Sequence, residues 1–337
     1  MQPTDFAKHL SDFLTKYMPA ERGASGNTIK SYKDTFILFL VFCRDCKNIN
    51  ANRLTLEKIT KELVVDFLEW LESERGCSAA TRNVRLAALH SFFRYLQYIT
   101  PQSLLEWQSI LAIPVKKTQK TGIKYLQVDA IKAILAEPDQ STRSGRRDVA
   151  LLSLLYDSAA RVQELIDLTP AMIRLYEPCT VKLIGKGGKA RIVPMMLTQV
   201  ELLKKYMIEQ QLLEPYANQY PLFSNSRKEK LTRAGLNYIL NKYARQVSLK
   251  HPSLIPEKLS CHTFRHSKSM HLLQAGVNLV YIRDILGHTS VQVTEIYART
   301  DSKQKREAIE KAYTNVVSHN APSWLKNDDL LSWLKEF

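Results

Sequence analysis

Four short stretches in the second half of the chain carry polar residues of types that phosphoryl chemistry can use. They are Ala160-Arg161-Val162-Gln163-Glu164-Leu165, the turn Gly185-Lys186-Gly187-Gly188, His262-Thr263-Phe264-Arg265-His266, and Leu286-Gly287-His288 with Tyr297 nine residues beyond the histidine. Breaking a phosphodiester without a metal needs fixed cations for the non-bridging oxygens, a proton for the leaving oxygen, and a nucleophile. Arg161 and Arg265 suit the first task, because guanidinium is planar, offers paired donors and stays charged. Lys186, at a hairpin tip, can deliver a proton to a leaving 5′ oxygen. Tyr297 offers a phenol that attacks once its proton is removed beside cationic groups. His262 and His288 can accept or position that proton near neutral pH. Glu164, three residues after Arg161 and on the same helical face, is placed to orient it.

Each fragment alone has a plainer reading. Arg161 with Glu164 is also an ordinary structural ion pair. A single histidine on an amphipathic helix is more often core or surface than catalyst, and Lys186 and Lys189 in a GKGGK turn would ordinarily be solvated. GKGG lacks the spacing of a nucleotide-binding phosphate loop. His262 and His266 stand at i,i+4 as zinc ligands can, but the residues between are Thr-Phe-Arg, and an arginine there repels a cation. No metal and no cofactor is expected.

The elements that must position these residues are mostly helical. Residues 1–112 read as all-helical. Ile29, Tyr32, Phe36, Phe39, Leu40 and Cys43 follow helical spacing from Thr28, and Leu63, Val64, Phe67 and Leu71 follow it from about Thr60. Ser78 caps a third helix with Leu86, Leu89, Phe93 and Leu96 on one face. Arg82 and Arg85 fall near its start, where backbone N–H groups also favour a phosphate, and are candidate DNA contacts. From residue 113 to 124 the pattern stops at a proline- and glycine-punctuated basic linker, whose Lys116, Lys117 and Lys120 can follow a nucleic-acid backbone. A second domain, 125–318, reads as helices near 127–136, 145–158, 198–213, 231–247, 262–275 and 278–286, with Gly276 and Gly287 as C-terminal stops. One β signal interrupts it: Thr180-Val181-Lys182-Leu183-Ile184, the glycine turn, then Ala190-Arg191-Ile192-Val193. Tyr281 is the nearest competitor of Tyr297, and the spacing predicts that it packs on a helix face with Leu279 and Ile282. Residues 319–337 hold a near-repeat, Ser323-Trp324-Leu325-Lys326 and Ser332-Trp333-Leu334-Lys335, an amphipathic tail expected to dock on its own domain or on a neighbour.

Composition agrees with a polyanionic partner. Net charge is +15, from 48 Lys and Arg against 33 Asp and Glu, spread over both halves of the chain. The apolar fraction of 45% argues against wholesale disorder. Five cysteines at irregular spacing argue against a disulfide framework and for a reducing compartment. Cys43 and Cys46 form a CxxC without a partner pair, and Cys43 continues an apolar stripe, so core packing is expected rather than zinc. No run is long enough to span a membrane, and a cytoplasmic protein is expected.

Arg, hairpin Lys, His-x-x-Arg, Gly-His and Tyr, in that order, resemble the tyrosine recombinase (phage integrase) family over essentially the whole chain. The Thr28-Ile29-Lys30-Ser31-Tyr32 opening and the Thr81-to-Leu89 helix resemble its core-binding domain. The resemblance implies a helical core-binding domain and a mostly α catalytic domain with a small antiparallel sheet, closing as a clamp around DNA. By the same resemblance Arg161 and Arg265 hold the scissile phosphate and Lys186 protonates the leaving 5′ hydroxyl. His262 helps take the tyrosine proton, His288 hydrogen-bonds the phosphate, Glu164 supports Arg161, and Tyr297 forms the 3′-phosphotyrosine. It implies double-stranded DNA with specific recombination sites as partner, and a homotetramer or an assembly with a related recombinase working through a Holliday junction. The residues after Tyr297 look more like recombinases of transposons and other mobile elements than like Xer-type resolvases. Integration, excision or transposition is therefore expected, with Xer-like dimer resolution or type IB topoisomerase activity as alternatives.

Overall fold

The computed structural model describes residues 3–118, 122–256 and 259–300, apart from the side chains of 186 and 298–300. The expectations for Lys120, for the Lys186 side chain and for the tail with Trp324 and Trp333 lie outside the described residues. The chain divides into two compact units, Met1–Thr121 and Gly122–Phe337.

The first unit is helical. Helix α1 (Asp5–Asp12) is capped by Thr4 and runs on as a π-helical stretch through Glu21; α2 (Gly26–Lys47) is capped by Ser25, α3 (Lys61–Ser73) by Thr60, and α4 (Ala79–Ile99) by Ser78. Each cap is a Ser or Thr oxygen accepting from the backbone N–H three residues on, which satisfies a donor that the first helical turn leaves free. Helix α5 (Leu104–Leu111) ends where the apolar pattern stops. The core is built on aromatic edge-to-face packing, with Phe92 5.2 Å from both Phe13 and Phe36, and Phe39 5.2 Å from Phe67. Cys43 is fully buried in it and Cys46 exposed; burial pushes the Cys43 thiol up to about 11.

In the second unit α6 (Val128–Ala136) and α7 (Arg143–Asp157) precede a short α8 (Val162–Ile166). The sheet has three antiparallel strands in the order β1 (Ile173–Arg174), β2 (Thr180–Ile184), β3 (Ala190–Pro194), one more than the spacing predicts. At two residues, β1 is too short for an alternating pattern to declare itself. Val181 pairs with Val193 and Leu183 with Arg191, so Arg191 sits on the inward face of β3. Helices α9 (Leu197–Glu209), α10 (Arg233–Lys250), α11 (Cys261–Gln274), α12 (Leu279–Leu286) and α13 (Val291–Thr300) complete the described part. Helix α7 starts at Arg143, two residues before the expected boundary, because Thr142 accepts from Gly145 N–H at 3.0 Å. Helix α9 stops short of 213 as Gln211 turns left-handed at φ 56°. Gly287 ends α12 at φ 60°, as its position predicts.

Tyr281 departs from expectation. Helix α12 buries Ile282 and Leu286 but leaves Tyr281 66% exposed, because a helix of eight residues has only one narrow face to give the core.

Candidate active site

The site forms where the N-terminus of α8, the β2–β3 hairpin, α11 and the α12–α13 corner meet within the second unit. Arg161 is the N-cap of α8. Its backbone N–H donates to Glu164 Oε2 at 2.8 Å and its Nη1 to Oε1 at 2.7 Å, while Nη2 lies 3.4 Å from Gly287 O. The sequence thus puts Glu164 at the third helical position, where a carboxylate both caps and orients. Glu164 is 3% exposed yet keeps its charge. Burial pushes its carboxyl up, but the Arg191 guanidinium and the two Arg161 donors outweigh that and hold it at about 2.

Arg265 lies on α11, 1% exposed. It donates from Nη1 to Ala159 O at 2.6 Å and from Nη2 to Leu286 O, which locks the end of α7 to the end of α12. Burial, with Arg161 and Arg191 nearby, pulls its guanidinium down to about 9, still cationic at neutral pH. His288 follows Gly287 and is fixed by Thr294, Nδ1 to Oγ1 at 3.0 Å. Desolvation and then the charges of Arg265, Arg161 and Arg191 lower it to about 4, so it is a neutral imidazole at working pH. His262, one turn before His266 on α11, is also lowered, by desolvation and then the charges of Arg265 and Arg161.

Tyr297, on α13, is 2% exposed and packs on Ala159, Met270, Leu273, Ile282 and Leu286. Its hydroxyl is 2.9 Å from His266 Nδ1. Burial raises its pKa, while Ser269, Arg265 and Arg161 work the other way. Arg161, Gly185, Lys189, Arg191, Gly287 and His288 line an open groove of about 620 Å³ beside these residues. The backbone of Lys186 is in the hairpin turn, with Gly187 at φ 75° and Gly188 at φ 73°, conformations that favour glycine.

Arg161, Glu164, His262, Arg265, His288 and Tyr297 are therefore brought together. Two residues absent from the sequence expectation belong with them. His266, weighed there only as a metal ligand, holds the Tyr297 hydroxyl, and its ring is 4.3 Å from that of His262. Desolvation, then His262 and Arg265, lower it to about 4. Arg191 forks onto Glu164 at 2.9 and 2.7 Å. Alternation carried a signal for it, since Arg191 shares the face of the buried Val193.

Arg82 and Arg85, expected to contact DNA, bond within the first unit in this structure. Both turn inward, Arg82 Nη1 to Pro114 O at 3.0 Å and Asn83 Oδ1, and Arg85 Nη1 to Ser31 O and Thr35 Oγ1 at 3.1 Å. They fasten the end of the first unit and α2 to α4. Lys116 and Lys117 are exposed, Lys116 in a 2.7 Å pair with Glu72.

Glu164 makes a pH-dependent contribution. Its folded pKa is depressed from 4.5 to about 2, so the stabilisation is fully present above the unfolded value and is lost as pH falls through about 2. Near neutral pH it is worth on the order of 3 kcal/mol. Glu164→Gln is expected to lower the thermal midpoint at pH 7 and to flatten its decline between pH 4.5 and 2. Parallel wild-type and variant melting curves across that range would contradict the pairing.

This set of side chains, on helices around a small antiparallel sheet, defines the catalytic fold of a DNA breaking-and-rejoining enzyme that uses tyrosine. The second unit matches the phage integrase family over residues 124–304, and residues 11–98 match the N-terminal SAM-like domain of phage integrases. The putative integrase/recombinase y4rC of Sinorhizobium fredii is 36% identical over 325 residues, 96% of both chains. The tyrosine recombinase XerD of Listeria monocytogenes is 32% identical over 291 residues, 86% of this chain and 92% of the relative. The fold is shared with the XerH recombinase bound to palindromic difH in its post-cleavage complex, at a TM-score of 0.68 and 24% identity, covering 89% of this chain and 84% of that one. The chain belongs to the phage integrase family of tyrosine recombinases. No described helix is long and apolar enough to cross a membrane.

Proposed function

We propose that the chain is the site-specific recombinase of a mobile element, cutting and rejoining double-stranded DNA during integration, excision or transposition. The observation that carries this is the convergence of Arg161, Arg265, His262 and His288 with the buried Tyr297 beside one groove.

Arg161 and Arg265 take the non-bridging oxygens of the scissile phosphate, with His288 as a third, neutral partner. The Tyr297 oxygen attacks phosphorus as its proton passes to His262 or His266. The bond from phosphorus to the 5′ oxygen breaks, and that oxygen takes a proton from Lys186. A 5′ hydroxyl from the partner duplex then reverses the step, so the phosphotyrosine conserves the bond energy and no nucleotide is consumed. Tyr297 held on His266 is the resting state in this reading, and α13 shifts when DNA engages Arg161 and His288.

Four such sites, in a homotetramer or together with a related recombinase, complete two rounds of exchange through a Holliday junction. Residues 1–112 and the linker lysines Lys116, Lys117 and Lys120 contact DNA along with the catalytic domain, 125–318, and the 319–337 tail docks on its own domain or on a neighbouring subunit. Lys116 can exchange its solvent-screened Glu72 partner for phosphate at little cost. The five free thiols suit a reducing cytoplasm. The integrase reading is supported by the match to the putative integrase/recombinase y4rC over 96% of both chains.

The test is a supercoiled plasmid carrying two copies of a recognition duplex selected by the protein from a random pool, incubated in EDTA without ATP. Deletion or inversion products are expected. Relaxation of a plasmid lacking the site, without recombinant products, would assign topoisomerase activity instead.

A further inference from the structure

We propose that Arg191 is a positioning residue for strand cleavage, holding Glu164 so that one edge of Arg161 stays free for the phosphate; this rests on the recombinase reading above. Arg191 sits on β3 with its side chain 10% exposed, and it donates to Glu164 Oε1 and Oε2 at 2.9 and 2.7 Å and from Nε to Ile285 O at 2.7 Å. The Glu164 carboxylate also accepts Arg161 N–H on Oε2 and Arg161 Nη1 on Oε1. Its two oxygens have about four lone-pair sites, and all are taken.

That saturation decides where Arg161 points. An arginine and a carboxylate left to themselves favour a two-bond fork. Here Arg191 occupies the fork, and Arg161 makes one side-chain bond to Glu164, places Nη2 3.4 Å from Gly287 O, remains 38% exposed and lines the groove. Without Arg191, Arg161 would swing both Nη groups onto Glu164 and leave the groove. The Nε bond adds a second constraint. It ties the strand after the Lys186 turn to Ile285, two residues before the Gly287-His288 corner. The contact is close enough that a Cβ on Gly287 would lie 2.9 Å from Arg191 Cδ. One side chain thus sets the relative places of Arg161, the Lys186 hairpin and His288.

The experiment uses the full chain with Arg191→Ala and Arg191→Lys on a nicked suicide duplex bearing the selected site. Single-turnover adduct formation is followed against DNA concentration and pH. Arg191→Ala is expected to slow cleavage about 10²-fold while the half-saturating DNA concentration stays within roughly threefold. Added guanidinium ion should restore about a tenth or more of the lost rate by refilling the fork. Arg191→Lys should recover little, since an ammonium cannot bond both oxygens and Ile285 O together. The Ala variant should also lose rate on mild acidification where the wild type does not, because Glu164 has lost its strongest counter-charge. A wild-type rate in Arg191→Ala overturns the proposal. So does a loss that tracks unfolding and DNA affinity in equal measure and is insensitive to guanidinium. Absence of any adduct from the wild type overturns the recombinase reading itself, and this proposal with it.

Discussion

Tyr297→Phe is expected to bind the recognition duplex as the wild type does and to cleave it at least on the order of 10⁴-fold more slowly. Among the described residues Tyr281, the nearest alternative phenol, is exposed on α12 and does not line the groove beside Arg161 and His288. The phenylalanine keeps its place in the cluster of Met270, Leu273, Ile282 and Leu286 and gives up the hydroxyl's hydrogen bonding to His266 and Ser269. A neutral bond of this kind contributes about 1 kcal/mol, which is small beside the catalytic loss. A thermal midpoint within a few degrees of wild type, read beside the cleavage assay, separates the two effects.

Arg265→Lys is expected to be the second most damaging change, at about 10²–10³-fold in cleavage rate. Arg265 spans Ala159 O and Leu286 O with its two terminal nitrogens. An ammonium is a single point and cannot bridge both carbonyls while facing a phosphate. One buried carbonyl is then left unpaired, at a cost of about 1–3 kcal/mol. Removing a donor from the developing phosphorane costs about 3–4 kcal/mol, so catalysis fails before folding does. The check is adduct formation at saturating DNA and low temperature, where the variant is still folded. A rate within tenfold of wild type would remove Arg265 from the phosphate clamp.

Much of the fold is legible in the sequence. The Ser and Thr caps of α2, α3 and α4, the glycine turn between β2 and β3, and Gly287 at the end of α12 follow from local chemistry acting over a few residues. The family resemblance placed Arg161, Arg265, His288 and Tyr297 in one ordered set, and the fold brings them together. What stayed hidden depends on tertiary covering. Arg82 and Arg85 bond to Pro114 O and Ser31 O, partners that helical spacing cannot announce. His266 entered the sequence reading only as a metal ligand argued against by its Thr-Phe-Arg spacer, because its partner, Tyr297, lies 31 residues away. Arg191 bonds across 27 residues to Glu164 and 94 to Ile285, and only its place on the Val193 face hinted at it. Tyr281 failed in the opposite sense, since a short helix offers its apolar stripe less cover than its sequence suggests.

The central claim is the bond between Tyr297 and DNA. Its most direct measurement is proteolysis of the wild-type adduct on a nicked suicide duplex, followed by mass spectrometry of the peptide that retains the nucleotide. A 3′-phosphoryl nucleotide is expected on Tyr297, formed in EDTA and absent from Tyr297→Phe. A nucleotide on Tyr281 or any other residue, or an adduct that persists in Tyr297→Phe, would contradict it.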